Sequence, residues 1–231
     1  MEKVGDVLGE LPEGSRVGVV TLLGSLCPIT LGHVQTFIEA RRLLLGEAAA
    51  PRPRQIEQFD AVLGFISLNG EHYVERKLKQ KGEASVSAAE RQLLVELAVQ
   101  DYPWLAWESH EGGSMTTLSK TWPHLSFVHF YMNGADDVVR HRKYAWAGPE
   151  CRMITMGRPG DTEQAIQGAR LAGVDLDMGF FIMGPELPDI SSSQARQALV
   201  QGHLPEAANM LDPRVLEWCV QHGPWRPTGS K

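Results

Sequence analysis

The sequence predicts an α/β fold: a Rossmann-like parallel sheet with helices on both faces and a helical C-terminal part. Short apolar runs rich in β-branched residues, typical of buried strands, alternate along the chain with segments whose apolar residues recur at helical spacing. This alternation is the pattern of a parallel sheet connected by helices. The 231 residues, 43% of them hydrophobic, suffice for one sizeable core. We therefore expect a single domain over 1–231.

Composition narrows the class of protein further. The net charge of −6 does not suggest general binding to nucleic acid or to an anionic membrane. The three cysteines lie far apart without a C-x-x-C pair, which argues against a zinc site or a disulfide framework. The N-terminus lacks the apolar core of a secretory signal, and no apolar run is long enough for a membrane span. We expect an intracellular protein of the cytoplasm, with the nucleus as an alternative.

The first half of the chain follows this alternation. Val17–Leu23 is apolar and β-branched, and the residues after Thr30, a plausible N-cap, recur at helical spacing, which places His33 in the first helical turn. The predicted elements are a polar lead-in with at most one helical turn at 1–15, a strand at about 16–23, a helix at about 30–45, a mobile surface connection at 46–56, a buried strand at 61–68 and a long, lysine-containing loop at 69–82.

Capping patterns mark the helices of the second half. Ser87 with Glu90, and Ser191 with Gln194, form the spacing of a capping box, and Asp212 followed by Pro213 begins the final helix. The predicted elements are a helix from 87, a short strand at 104–108, a helix at about 114–121, a strand at 126–132, a turn at 133–137 that opens a helix, a strand at 151–156, a helix at 162–172, a strand at 179–183 and the C-terminal helical part at 190–223.

Polar residues gather where the predicted strands end. In a parallel sheet ligands bind outside the carboxyl ends of the strands. Two helix N-termini, a histidine, two arginines and several hydroxyls would suit a polyanion such as a nucleoside triphosphate. The residues assigned to this edge are Gly24, Ser25, Thr30, His33, Ser67, Trp104, Gly134, Asp136, Arg158, Asp189, Ser191, Ser192, Ser193 and Arg196.

Several common enzyme signatures are missing. The sequence contains no G-x-G-x-x-G after the first strand and no G-x-x-x-x-G-K-[ST], which weakens the case for a dinucleotide-dependent dehydrogenase or a P-loop kinase. It also lacks H-E-x-x-H and the G-x-S-x-G elbow of serine hydrolases. The reaction class that is left is phosphoryl transfer without a protein nucleophile. Such a reaction depends on positioning and charge neutralisation, with Mg²⁺ on the departing phosphates.

Two stretches resemble signatures of the nucleotidylyltransferases. The segment GSLCPITLGH, which runs from Gly24 to His33, resembles G-x-F-x-P-x-[TH]-x-x-H, and ISSSQAR, from Ile190 to Arg196, resembles I-S-S-T-x-[IL]-R. Together with Asn133–Asp136 they are similar to the nicotinamide or nicotinate mononucleotide adenylyltransferases, particularly the eukaryotic type. The similarity runs in the same order along nearly the whole chain.

The resemblance implies a reaction in which AMP passes from ATP to nicotinamide or nicotinate mononucleotide, giving NAD or its deamido form and pyrophosphate. His33, Thr30 and Arg196 would be catalytic. Phosphate and ATP would contact Gly24, Ser25, Ser191, Ser192, Ser193, Gly134, Asp136 and Arg158. The mononucleotide would contact Leu26, Ser67, Lys79, Trp104 and Trp146, and Lys77 and Lys81 are alternatives to Lys79 for the phosphate contact. Mg²⁺ would be held by the ATP phosphates rather than by protein ligands, and self-association into a homo-oligomer is a further expectation.

This sequence departs from the family pattern at several positions. Leu26 replaces the family's aromatic residue, Cys27 replaces its Asn or Asp, and Ser67-Leu68 replaces its Ser-Pro. These changes affect the pyridine side of the site more than the triphosphate side, and they leave the choice between amide and acid acceptor open. Two alternatives also stay open: a related nucleotidylyltransferase with another phosphorylated acceptor, such as phosphopantetheine or a cytidylyl acceptor, and a non-catalytic nucleotide-binding or chaperone-like relative.

Overall fold

A computed structural model describes residues 2–48, 52–108 and 113–227. Six parallel strands form one sheet in the order β3-β2-β1-β4-β5-β6, which confirms the predicted fold class. The strands are β1 (Arg16–Gly24), β2 (Ala61–Leu68), β3 (Leu105–Trp107), β4 (Ser126–Gly134), β5 (Met153–Gly157) and β6 (Phe181–Glu186). The helices are α1 (Glu2–Gly9), α2 (Leu31–Leu45), α3 (Glu71–Lys79), α4 (Ala88–Ala98), α5 (Gly113–Thr121), α6 (Ala135–His141), α7 (Thr162–Leu171), α8 (Ser192–Gln201), α9 (Leu204–Ala208) and α10 (Pro213–Gln221).

The strand β2 buries both of its faces, as expected in the middle of a parallel sheet. Along β2, Val62 and Ile66 pack on the side of α2, α4 and the C-terminal helices, whereas Leu63 and Phe65 pack on the side of α1 and α5. Successive side chains of β2 alternate between two covered faces, and β2 is therefore a continuous apolar run in the sequence. The order of the strands reverses direction at β1, which pairs with β2 on one side and with β4 on the other. A crevice therefore opens at the carboxyl ends of β1 and β4.

The predicted strands agree with the observed ones to within three residues at either end, but two helices were missed. The loop predicted at 69–82 is wrong, because α3 occupies most of it. Val74 and Leu78, four residues apart, form its buried face and the lysines lie on the outside. The sequence prediction considered the lysines and overlooked this spacing. The short helix α9 was also not predicted.

The lead-in is more structured than expected, since α1 is eight residues long rather than one turn. Val4 and Leu8 are fully buried on the β3 side of the sheet, and Lys3 Nζ donates to the carbonyls of Leu105 (2.9 Å) and Val99. Within the connection predicted at 46–56, residues 49–51 lie outside the described residues. Its described part is tied down by Arg52 Nη2, which donates to the carbonyls of Leu44 and Glu57.

Within 2–48, 52–108 and 113–227, every helix falls short of the length and hydrophobicity that a membrane crossing requires.

The docking of α1 can be tested with Leu8→Ala. Because Leu8 is fully buried, the substitution should lower the free energy of unfolding by about 2–4 kcal/mol. Asp6→Ala, on the exposed side of the same helix, is the matched control and should change it by less than about 0.5 kcal/mol. Urea denaturation measures both values. Equal effects of the two variants would mean that α1 does not contribute to the folded core.

Candidate functional site

A cleft of about 720 Å³ opens at the carboxyl ends of β1 and β4, where the strand order reverses. This volume is in the range of small-molecule sites. Its polar lining comes from the turns after β1 and β2, the first two turns of α2, the helix α3, the end of β4 with the β4–α6 junction, and the segments that flank β5. The lining residues with polar or charged side chains include Ser25, His33, Thr36, Asn69, Tyr73, Lys77, Tyr131, Asn133, Asp136, Asp137, Lys143, Trp146, Glu150, Cys151 and Arg158.

The turn between β1 and α2 forms one wall and is held by three side chains from distant helices. Arg91 Nη1, on α4, donates to the carbonyl of Ser25 at 3.1 Å. On α8, Arg196 Nη1 donates to the carbonyl of Cys27 at 2.7 Å and Ser192 Oγ to that of Pro28 at 2.7 Å. Buried carbonyls without partners are costly, so these bonds fix the course of the turn.

His33 is oriented by the residue that caps its helix. The backbone N–H of Thr30 donates to His33 Nδ1 at 3.1 Å, and Thr30 Oγ1 lies 2.7 Å from the same atom. A backbone N–H can only donate, so Nδ1 is an acceptor and the ring proton is on Nε2. Burial, with a smaller effect of the nearby Arg158 charge, lowers the pKa of His33 to about 4. At neutral pH the cleft is therefore lined by an uncharged imidazole whose Nε2–H can donate to a ligand oxygen.

A group of donors surrounds Ser25 just after β1. Asn69 Nδ2 donates to Ser25 Oγ at 3.3 Å, and Lys77 Nζ, on α3, donates to it at 3.4 Å. Lys77 also lies over the ring of Tyr73, at 5.9 Å from its centroid. The arrangement places a hydroxyl, an amide and an ammonium group around one point of the cleft wall, which suits a phosphate oxygen.

Arg158 lies between two carboxylates at the start of the β5–α7 connection. Its Nε is 3.0 Å from Asp136 Oδ1, and its Nη1 is 3.4 Å from Asp189 Oδ1. A Cβ on Gly134 would come within 2.6 Å of Asp136 Oδ1, so glycine is required for this carboxylate to fold back over the junction of β4 and α6. The pair is 40–45% exposed, and a ligand could therefore exchange with either partner.

The far end of the cleft contains Trp146, whose side chain is 61% exposed. Beside it, Lys143 Nζ contacts Asp137 Oδ2 at 2.6 Å and donates to Asn133 Oδ1 at 3.1 Å. Gly148 and Cys151 exchange two backbone hydrogen bonds of 3.1 Å, which closes a tight turn, and Glu150 in this turn also lines the cleft. An open aromatic face and a carboxylate on the same lining suit a flat cationic ring.

Seven of the residues predicted from the sequence line this cleft: Gly24, Ser25, His33, Gly134, Asp136, Arg158 and Trp146. Thr30 stands behind His33. Ser191 caps α8, where it pairs with Gln194, and the side chain of Ser193 accepts a bond from Arg196 Nη2 at 3.1 Å. Arg196 itself is 4% exposed and forms an ion pair with Glu83. These α8 residues thus lie behind the cleft wall rather than on it.

The residues predicted for the mononucleotide side are mostly elsewhere. The side chain of Leu26 is buried in the core below the turn, at a backbone φ of +42°, and Ser67 is also buried. Trp104 precedes β3 and so lies at the amino edge of the sheet, where Arg41 stacks over it at 5.4 Å. Lys79 is exposed on α3 outside the cleft. Burial raises the pKa of the Cys27 thiol, which makes it an inert apolar side chain.

Sequence reasoning missed several residues of the site. Lys143 and Glu150 flank Trp146 within a few positions, so that tryptophan was the available signal. Tyr131 alternates with the core residues Phe130 and Met132 on β4, which indicates the opposite face of the sheet. Arg91 gave no signal, because an arginine within a helix is normally a solvated residue.

No group of three or more His, Cys, Asp or Glu side chains suited to a metal ion occurs among the residues that the structure describes. That Mg²⁺ enters on the phosphates of ATP stays a prediction.

The low pKa of His33 predicts a specific pH dependence of stability. Between pH 6.5 and about 4 the unfolded chain protonates this histidine and the folded protein does not, so the free energy of unfolding falls as the pH falls. In His33→Gln this contribution disappears, and the slope should become shallower by up to about 1.4 kcal/mol per pH unit. Urea titrations at several pH values measure both slopes. Parallel slopes would contradict a ring that stays neutral in the folded protein.

The ion pair between Glu83 and Arg196 can be tested with Glu83→Gln. Removal of the carboxylate leaves the buried guanidinium without a counter-charge and should lower the free energy of unfolding by about 1–3 kcal/mol, since Glu83 is itself partly exposed. Glu75→Gln, at an exposed position of α3, is the control and should have little effect. A neutral result for Glu83→Gln would show that the hydrogen bonds of Arg196 to Cys27 and Ser193 suffice.

Comparisons with known proteins give a likeness in fold. No protein-family model matches the sequence, and no curated protein matches it. Among solved structures, the chain is similar to the Plasmodium falciparum nicotinic acid mononucleotide adenylyltransferase complexed with APC, with a TM-score of 0.57 and 11% sequence identity. The match covers 90% of this chain and 96% of that chain. At this level of identity, the likeness shows that the two chains share a fold.

Proposed function

We propose that this protein is a nucleotidyltransferase that transfers AMP from ATP to nicotinamide or nicotinate mononucleotide, producing NAD or deamido-NAD and pyrophosphate. The observation that carries the proposal is the fixed, neutral His33, whose Nδ1 is bonded to Thr30 and whose Nε2–H is free to donate within a cleft at the strand-order reversal. The shared fold with a mononucleotide adenylyltransferase and the resemblance of the two signatures support it.

In the proposed reaction, a phosphate oxygen of the mononucleotide attacks the α-phosphorus of ATP. The new P–O bond forms as the bond to the pyrophosphate leaving group breaks, and Mg²⁺ enters with ATP as part of the substrate. His33 Nε2–H donates to a non-bridging oxygen of the α-phosphate, where negative charge increases in the transition state. A neutral imidazole suits this role because it stabilises the oxygen without having to release a proton.

The remaining contacts divide between the two substrates. Ser25 and Lys77 bind the phosphate of the mononucleotide, and Trp146 stacks on its pyridine ring. Asp136 and Arg158 contact the nucleoside of ATP. Direct binding of phosphate by Arg196 would require its guanidinium to leave Glu83 and Cys27. We therefore assign Arg196 and Ser192 a positioning role: they hold the carbonyls of the turn that carries the phosphate-binding groups.

The paired state of Arg158 and the burial of Arg196 favour one alternative, a nucleotide-binding relative without transferase activity. Such a protein would bind ATP and release it unchanged. A transferase with a different phosphorylated acceptor would instead turn over only with that acceptor. Product formation, rather than binding, separates the three.

The decisive experiment is formation of NAD or deamido-NAD from ATP, Mg²⁺ and each mononucleotide by wild type and His33→Ala. Loss of a donor to a phosphoryl oxygen should reduce kcat by roughly 10²-fold or more, with a smaller change in KM. His124→Ala, an exposed histidine before β4, is the matched control and should keep full activity. Absence of both products with wild type, despite ATP binding, would overturn the assignment as a transferase that uses a pyridine mononucleotide.

A further inference from the structure

Only some of the charged side chains that line the cleft form ion pairs with one another. Among the residues that the structure describes, six charged side chains line the cleft, three of each sign. Lys143 is paired with Asp137, and Arg158 is paired with Asp136. Within the part of the chain that the structure describes, this leaves two lining charges without an ion-pair partner: the cation Lys77 and the anion Glu150.

These two unmatched charges lie on different flanks of the cleft. Lys77 reaches the turn after β1, where it donates to Ser25 Oγ. Glu150 lies in the turn that leads into β5, four residues after Trp146, and both residues line the cleft. In the sheet, β4 separates β1 from β5. The cleft therefore presents a positive group on one flank, and a negative group and an open indole on the other.

This polarity suits a ligand with an anionic phosphate and a cationic ring. A pyridinium mononucleotide has both, and its ring would gain from the indole face of Trp146 as well as from the Glu150 carboxylate. A carboxylate substituent on that ring would cancel its positive charge and bring an anion close to Glu150. A carboxamide substituent leaves the positive charge intact and adds donors that a carboxylate oxygen can accept.

We infer that Glu150 is a specificity-determining residue that makes the cleft prefer the amide over the acid form of the pyridine mononucleotide. The inference rests on the proposed function for the identity of the acceptor, and it adds a preference that neither the sequence nor the structural likeness provides. Lys77 holds the phosphate of the same molecule, so the two unmatched charges fix its direction in the cleft.

Isothermal titration calorimetry with nicotinamide mononucleotide and nicotinate mononucleotide, each without ATP, tests the preference directly. Wild type should bind the amide form about threefold to tenfold more tightly, as expected for one partly screened charge. Glu150→Gln should bring the ratio close to one, chiefly by weakening the amide form, and Glu150→Lys should reverse it. Glu10→Gln, at an exposed position outside the cleft, is the control and should retain the wild-type ratio.

Turnover with the two acceptors in the same samples separates this inference from the proposed function. If wild type forms no product but binds the amide form selectively through Glu150, the transferase assignment fails and the inference stands. If wild type forms product but binds both forms equally, or if Glu150→Gln leaves the ratio unchanged, the inference is overturned and the transferase assignment stands. Failure of both mononucleotides to bind would overturn the inference as well.

Discussion

The structure of the site depends on hydrogen bonds to the carbonyls of the turn between β1 and α2. Ser25, Cys27 and Pro28 each present a carbonyl that is satisfied from another helix, by Arg91 of α4 and by Arg196 and Ser192 of α8. The two arginine donors are charged, which makes their bonds stronger than bonds between neutral groups. Because the turn leads directly into the first turn of α2, the same bonds set where His33 stands relative to β1.

These three hydrogen bonds, from Arg91, Arg196 and Ser192, form a clamp on the turn. The clamp gives a physical reason why two distant signatures occur in one chain. Arg196 and Ser192 belong to the second signature, and the carbonyls they bind belong to the first. A change in either segment would leave buried groups of the other without partners, which costs more than the bond itself contributes. The two segments therefore act as one structural unit, whatever ligand the cleft accepts.

Much of the fold could be predicted because it depends on periodicity. The strands and most helices followed from apolar runs and capping boxes, such as Ser87 with Glu90, which are local signals. The site was less predictable because its geometry is set by long-range contacts. Trp104 was assigned to the ligand-binding edge although it precedes its strand, and the burial of Arg196 depends on Glu83, which is distant in the chain. The predicted strand at 104–108 already placed Trp104 at its amino end, whereas the ion pair with Glu83 leaves no mark in the local sequence.

The division between clamp and cleft also explains why a likeness in fold carries so little information on substrate. Groups that hold the turn, such as Arg91, are buried and contribute to the position of His33 with any ligand. Selection among ligands falls to side chains that end in the cleft with their charge unmatched, Lys77 and Glu150. Two chains that share this fold at 11% identity can therefore keep the same arrangement of strands and still differ in acceptor, because exposed charges change without cost to the core.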